Sequence, residues 1–394
     1  MALLSMSFGR PDAALSARRL GLWLTHTLRP SRRAAAANLE RFDAGLREAV
    51  AAETMASPRL ADLAVSCPAA LVAIACPGED AAFVEGARRA RALAMEGRPL
   101  AQICAAAEVP LWLRRARPET FRARPPRLPD TPNVRRAIAN HVPKGAGATT
   151  FKNAPWRWLE AVAIAFETAD EEVGLWMARR AAASDLVGIF RARVVALWAW
   201  RSRHAPQPEA WPRWSPELGW DRASDLAFDW RARLAFDVYG GPGGDARQAW
   251  ERDGFTFSPL LDFEAIVAEG EAMRHCVADY AYEVATAEST LWSVSKDGAR
   301  VATAEIGSRD GSAFVGVRQL YGVKNEAAPR EAWRAATLFA VDLDARFDTE
   351  RRVARSREER RRAWEAFWEP YWAAKSGATA WTPLDPPDDG FPAA

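Results

Sequence analysis

Between Met273 and Tyr280 the chain reads Met-Arg-His-Cys-Val-Ala-Asp-Tyr and places a histidine, a thiol and a phenol within six residues. These types are scarce, since His275 is one of four histidines, Cys276 one of four cysteines and Tyr280 one of five tyrosines. Imidazole exchanges protons near neutral pH, a thiolate attacks electrophiles, and a phenol donates a hydrogen bond or a proton. Neighbours on a helix point about 100° apart, so His275 and Cys276 make a poor catalytic pair within one helix and are expected to have separate duties. If the helix over Glu264 to Met273 ends at Gly270 and a second starts near Met273, Cys276 lies in a first turn, where the helix dipole favours its thiolate. The competing reading makes Cys276 a buried structural thiol and hydrogen-bonds His275 to a strand. A ligand contact is a third.

The elements that must position these groups follow directly. Leu291 to Ser295, Arg300 to Ile306 and Ala313 to Tyr321 read as three antiparallel strands. Lys296-Asp297-Gly298 and Ser308-Arg309-Asp310-Gly311 join them, Asp-Gly being a strong hairpin signal. Alternation puts Val301, Thr303 and Glu305 on one face, Ala302, Ala304 and Ile306 on the other, and groups Gln319 with Val315 and Val317. A helix from Pro329 closes the unit, with Trp333, Thr337, Ala340 and Val341 read on one side. Polar side chains on a packed face need partners, because an unpaired buried polar group costs about 1–3 kcal/mol. His275, Tyr280 and Asn325 are the expected partners of Thr303, Glu305 and Gln319, either as a device within the core or as the floor of a binding cleft.

Four separated pieces carry a resemblance: His275-Cys276 with Tyr280, the strand Leu-Trp-Ser-Val, the strand Val-Ala-Thr-Ala-Glu-Ile, and Gln319-Leu-Tyr-Gly322-Val-Lys-Asn325. Together they resemble the PcfJ-like domain family over roughly residues 255–345. The resemblance implies an α+β domain and a bacterial, mobile-element setting, and it brings no established reaction. It assigns His275, Cys276, Tyr280, Thr303, Gln319, Gly322 and Asn325 to the family's characteristic positions. One departure concerns the small residue that usually precedes the first strand, where Glu288 and Ser289 stand; this puts the turn geometry there in doubt.

Composition narrows the function classes. A chain of 394 residues with 49% hydrophobic content holds two or three domains with a proper core. Its formal net charge of +2 provides no global electrostatic case for nucleic acid, so any such case rests on local patches. Cys67, Cys76, Cys104 and Cys276 fit neither a disulfide framework nor a zinc pattern, so reduced thiols and no metal or cofactor are expected. The first 24 residues do not read as a signal peptide, and the longest apolar run, Ala69 to Cys76, is far short of the ~20 residues a membrane helix requires. A cytoplasmic protein without membrane contact is expected.

Helical periodicity runs from Leu15 to Glu53 and from Leu60 to Met95, with Asp80 as a candidate cap. Leu100 to Arg117 reads either as a helix-turn-helix or as a packed helical corner, the latter favoured by apolar Leu111, Trp112 and Leu113 where a base-reading helix wants polar groups. Further helices are expected over Ala154 to Trp200, where Trp198 and Trp200 cannot share a face and one should lie at the surface or at a domain contact, and over Ser224 to Val238. The prolines and tryptophans of His204 to Pro216 mark a linker lying on a domain surface. The loop Tyr239 to Asp245 lacks the Gly-Lys-Ser/Thr ending of a phosphate cradle.

Asp342 to Arg362 reads as an Arg-rich helix, with Arg355, Arg357, Arg360 and Arg361 as nucleic-acid candidates and a solvated charged face as the alternative. Trp364, Phe367, Trp368, Tyr371 and Trp372 then form an aromatic stripe that something must cover. The expected organisation is a helical region over 1–130, a helical middle region over 131–245, an α+β domain over 246–375 with a three-stranded antiparallel sheet, and a disordered tail over 376–394. Two functions are consistent with this: an accessory protein of a mobile element or replicon, partnered by nucleic acid or another mobile-element protein, and a small enzyme using Cys276 or His275 as nucleophile or acid–base.

Overall fold

The computed structural model describes residues 38–139, 155–181, 188–308, 315–344 and 353–375. The part of the expected Leu15 to Glu53 helix before residue 38, most of the expected Ser308 to Gly311 turn, Arg346, Arg351 and Arg352, and the tail from Ser376 lie outside the described residues. The fold is α+β, and the chain divides into two compact units, Met1–Ala196 with Pro216–Arg222 and Leu197–Ser215 with Ala223–Ala394.

The first unit is helical among its described residues. Helix α1 (Ala44–Ala56) starts where the Asp43 side chain accepts from the Gly45 amide. Ser57 caps α2 (Pro58–Ser66), whose first residue is a proline with no amide hydrogen to lose. Helix α3 (Pro68–Ala75) is apolar all round and buried from Pro68 to Ile74, so it forms the centre of the unit. Asp80 caps α4 (Ala81–Glu96), and left-handed Gly97 ends it. After α5 (Leu100–Ala106) comes only a five-residue 3-10 turn, Leu111–Arg115, with Trp112 and Leu113 buried. The corner is therefore packing, and no recognition helix exists there. Helices α6 (Pro132–Ala139), α7 (Pro155–Thr168) and α8 (Glu171–Arg180) follow, and α9 (Ile189–His204) and α10 (Trp220–Tyr239) each begin in the first unit and end in the second.

Of the two places expected for one of Trp198 and Trp200, the surface is excluded, because α9 is buried from Val194 to Trp200. Trp198 donates its indole hydrogen to the Pro212 carbonyl at 2.8 Å, and Trp200 meets Tyr371 edge-on. Trp211 and Trp214 of the proline-rich segment are buried as well.

The second unit is built on a five-stranded antiparallel meander of β1 (Trp250–Arg252), β2 (Phe255–Pro259), β3 (Ser289–Lys296), β4 (Ala299–Ser308) and β5 (Val315–Tyr321), adjacent in that order. The expected sheet had three strands. The missed pair carries the same signal as the recognised hairpin: Asp253-Gly254 and Asp297-Gly298 both adopt positive φ at tight turns. Ala302, Ala304, Ile306, Trp292, Val294, Phe257 and Leu320 pack under α13 (Arg330–Asp344) through Ala332, Ala336, Phe339 and Leu343. The buried stripe of α13 is thus one position off the expected one, since Trp333, Thr337 and Val341 are exposed and only Ala340 faces the sheet.

A bulge in β5 corrects a second expectation. The register pairs Glu305 with Gln319 but Ile306 with Val317, so β5 carries one extra residue at Arg318. Alternation resets there: Val317 packs into the core beneath α13, while Gln319 turns to the opposite face with Thr303 and Glu305. On that opposite face Leu291 packs with α11 (Phe263–Met273), the 3-10 turn Val277–Tyr280 and α12 (Ala281–Ala285). Ala287, ahead of β3, is left-handed at φ 59°.

Asp342 to Arg362 is not one helix. Val353 bridges to Pro242, and Ser356 with Glu359 forms a capping box that starts a new helix, α14 (Arg357–Ala374). Its aromatic stripe packs within the second unit, Trp368 against Trp230 and Phe367 against Trp211.

Candidate functional site

Helix α11 is capped by Asp262, runs through Gly270 rather than stopping there, and ends at Arg274 in the left-handed region. His275 follows immediately, its amide donating to the Gly270 carbonyl at 3.1 Å. Cys276 therefore precedes a four-residue 3-10 turn instead of sitting in the first turn of an α-helix, and its side chain is exposed. This removes both earlier readings of the thiol, helix-dipole activation and structural burial.

His275, Cys276, Val277, Tyr280, Leu291, Thr303, Glu305, Gln319, Tyr321 and Asn325 line one cavity of about 380 Å³. Gly322 ends β5 and donates its amide to the Glu326 carbonyl at 2.9 Å. It is not part of the wall. Asn325 adopts φ 61°, a conformation that asparagine tolerates better than most residues.

Three pairings organise the walls. His275 Nε2 lies 3.0 Å from Thr303 Oγ1, and Thr303 donates onward to Glu269 Oε1 at 2.6 Å. Glu269 is 1% exposed, and its other carboxylate oxygen sits 3.2 Å from the Arg300 guanidinium. A carboxylate can only accept, so the Thr303 hydroxyl hydrogen belongs to Glu269 and the Thr303 oxygen accepts from His275 Nε2–H. His275 is thereby held in one tautomer, with Nδ1 buried and without a hydrogen-bond partner among the described residues. In the second pairing, Gln319 Nε2 donates to the Tyr280 hydroxyl at 3.0 Å. In the third, buried Glu305 pairs with Arg318 at 3.1 Å. Beside them, burial pushes the Glu283 carboxyl above its ordinary range, assisted by Glu288 and Glu305 and opposed by Arg231.

Glu269, Arg300 and Arg318 were not among the residues singled out from the sequence. One signal was available: Glu269 falls on the stripe Phe263, Ile266, Gly270, Met273 of a helix whose stripe is otherwise buried and apolar. A charge there implies a buried partner.

The basic candidates lie elsewhere, around the start of α14. Arg355, Arg357 and Arg361 are exposed, whereas the Arg360 guanidinium lies over the Tyr239 ring at 5.5 Å. Among the described residues no group of three or more His, Cys, Asp or Glu could hold a metal ion, and no helix is long and apolar enough to cross a membrane.

A family model described as PcfJ-like protein matches residues 246–335. That segment contains every residue of the cavity wall together with Glu269 and Arg300, and it excludes α14. No curated protein and no solved structure matches the chain.

Proposed function

We propose that the PcfJ-like segment is a small-molecule site in which His275, Tyr280, Glu305, Gln319 and Asn325 bind a polar ligand. The observation that carries this reading is the convergence of these five polar side chains on one cavity, with the His275 ring held in place through Thr303 and Glu269. Tyr280, Gln319, Glu305 and Asn325 present donors and acceptors that orient a ligand, and Cys276 contributes an exposed thiol at the same wall. A volume of about 380 Å³ suits a metabolite-sized molecule.

The test is a thermal-shift panel of nucleotides, sugar phosphates and amino acids run on the parent and on His275→Gln. The expected result is at least one compound that raises the parent midpoint by several degrees and leaves the variant unmoved. Equal shifts in both proteins, or none in the parent, remove the reading.

A second reading is favoured by exposed Arg355, Arg357 and Arg361 at the start of α14: association with nucleic acid, as an accessory protein of a bacterial mobile element acting in the cytoplasm. Replacing Arg355, Arg357, Arg360 and Arg361 with Gln should then weaken retention on immobilised DNA and RNA alike and flatten its salt dependence. Unchanged retention returns these residues to solvated surface.

A further inference from the structure

A second set of reactive side chains belongs to the helical unit. Cys67 sits at the elbow between α2 and α3, and Cys104 lies within α5. Both are buried, at 0% and 1% exposure, and their sulfurs approach to 3.7 Å across a separation of 37 residues. We propose that Cys67 and Cys104 are a modification site, a thiol pair that closes to a disulfide on reaction with a hydroperoxide.

Three observations support it. The sulfurs are already in contact, and a disulfide needs them at about 2.0 Å, so closure requires a shift of under about 2 Å. Each thiol is the other's hydrogen-bond partner, and either sulfur can donate; the contact holds the Cys67 thiol below its ordinary range against the opposing effect of burial and pushes the Cys104 thiol up. The thiolate is the reactive form, so this shared proton favours chemistry at the pair over inert packing. Finally, Cys104 lines a cleft of about 1150 Å³ bordered by Phe83, Val109, Leu111 and Ile164, which is a route for a molecule as small as hydrogen peroxide.

The chemistry balances with the peroxide as oxidant. One sulfur attacks the O–O bond and becomes a sulfenic acid as the first water leaves; the second thiol then displaces that oxygen as a second water and forms the S–S bond. Two thiol hydrogens are consumed, and one peroxide is reduced to two waters. The bridge would tie the α2–α3 elbow to α5 beneath the cleft, closing a long loop in the unfolded chain and stabilising the fold.

The experiment treats the full-length chain with hydrogen peroxide, alkylates it after denaturation without reductant, and maps the peptides by mass spectrometry. The expected outcome is a Cys67–Cys104 cross-linked peptide that dithiothreitol reverses, with a melting midpoint several degrees above that of the reduced protein. Exposed Cys276 reports that the oxidant reacted. Recovery of Cys67 and Cys104 as alkylated thiols while Cys276 is oxidised overturns the proposal, and so does sulfinic acid at either residue without a cross-link. Cys67→Ala should lose the cross-link while Cys276 is still oxidised. The mapping of the parent decides the question even if that variant folds poorly.

Discussion

Thr303 Oγ1 donates to Glu269 Oε1 at 2.6 Å, and this contact between a sheet strand and a helix carboxylate sets the direction of the hydrogen bonds that reach His275. Arg300 anchors the far end at 3.2 Å from Glu269, and the His275 ring forms the near end. The arrangement spends a buried charge on positioning a ring, which an ordinary core would have no reason to do.

Thr303→Val tests it directly, because valine keeps the side-chain shape and deletes the hydroxyl. Glu269 then retains Arg300 as its ion-pair partner, and His275 Nε2–H loses its acceptor. The expected cost is about 1–3 kcal/mol in denaturant unfolding, accompanied by a change in the tautomer reported by the His275 ring nitrogens in NMR. Unchanged stability with unchanged ring resonances would show that the relay does not hold the ring.

Cys276→Ser distinguishes a cavity wall from a closed core. The side chain is exposed, so the exchange should alter stability by less than about 0.5 kcal/mol, and iodoacetamide should label Cys276 in the native protein. Cys67 and Cys104, both buried, should stay unlabelled under the same conditions. A destabilised variant and an unlabelled Cys276 would place the thiol in the core.

Glu283 links stability to pH. Burial raises its carboxyl, so the folded state binds the proton more tightly than the unfolded chain does. Stability is therefore greatest below the unfolded value and is lost as pH rises through the folded one. Glu283→Gln, which cannot ionise, should melt higher than the parent at neutral pH, and the difference should vanish near about pH 4. A constant difference across that window would assign the effect to packing instead.

Arg201 is 4% exposed, stacks on the Phe367 ring at 4.1 Å and donates to the Pro206 carbonyl at 3.2 Å, yet its Nε and one terminal nitrogen are buried with no hydrogen-bond partner among the described residues. Burial pulls its guanidinium down to about 10. Arg201→Met keeps an unbranched apolar stem and removes the desolvated charge, so the expected gain is about 1 kcal/mol in urea unfolding. A loss of similar size would show that the stacking outweighs the desolvation.

Much of this protein is legible locally. Asp297-Gly298 specifies a hairpin because few other dipeptides adopt positive φ at both turn positions, and the alternation of Ala302, Ala304 and Ile306 assigns the core face of β4 from a period of two. Asp80 at the head of α4, and His275, Cys276 and Tyr280 as a cluster, are equally visible as residue types at short spacing. What the tertiary structure alone decided is whatever depends on register between distant segments. The bulge that turns Gln319 toward Tyr280 leaves no mark in an alternating run of Val, Gly, Val, Arg and Gln, because it is set by how β5 closes against β4. The partner of Glu269 lies 34 residues away and that of Cys67 lies 37 away, distances over which periodicity carries no information. The same holds for α9, where the helical period correctly separates Trp198 from Trp200 but only the surrounding chain determines that both faces are covered.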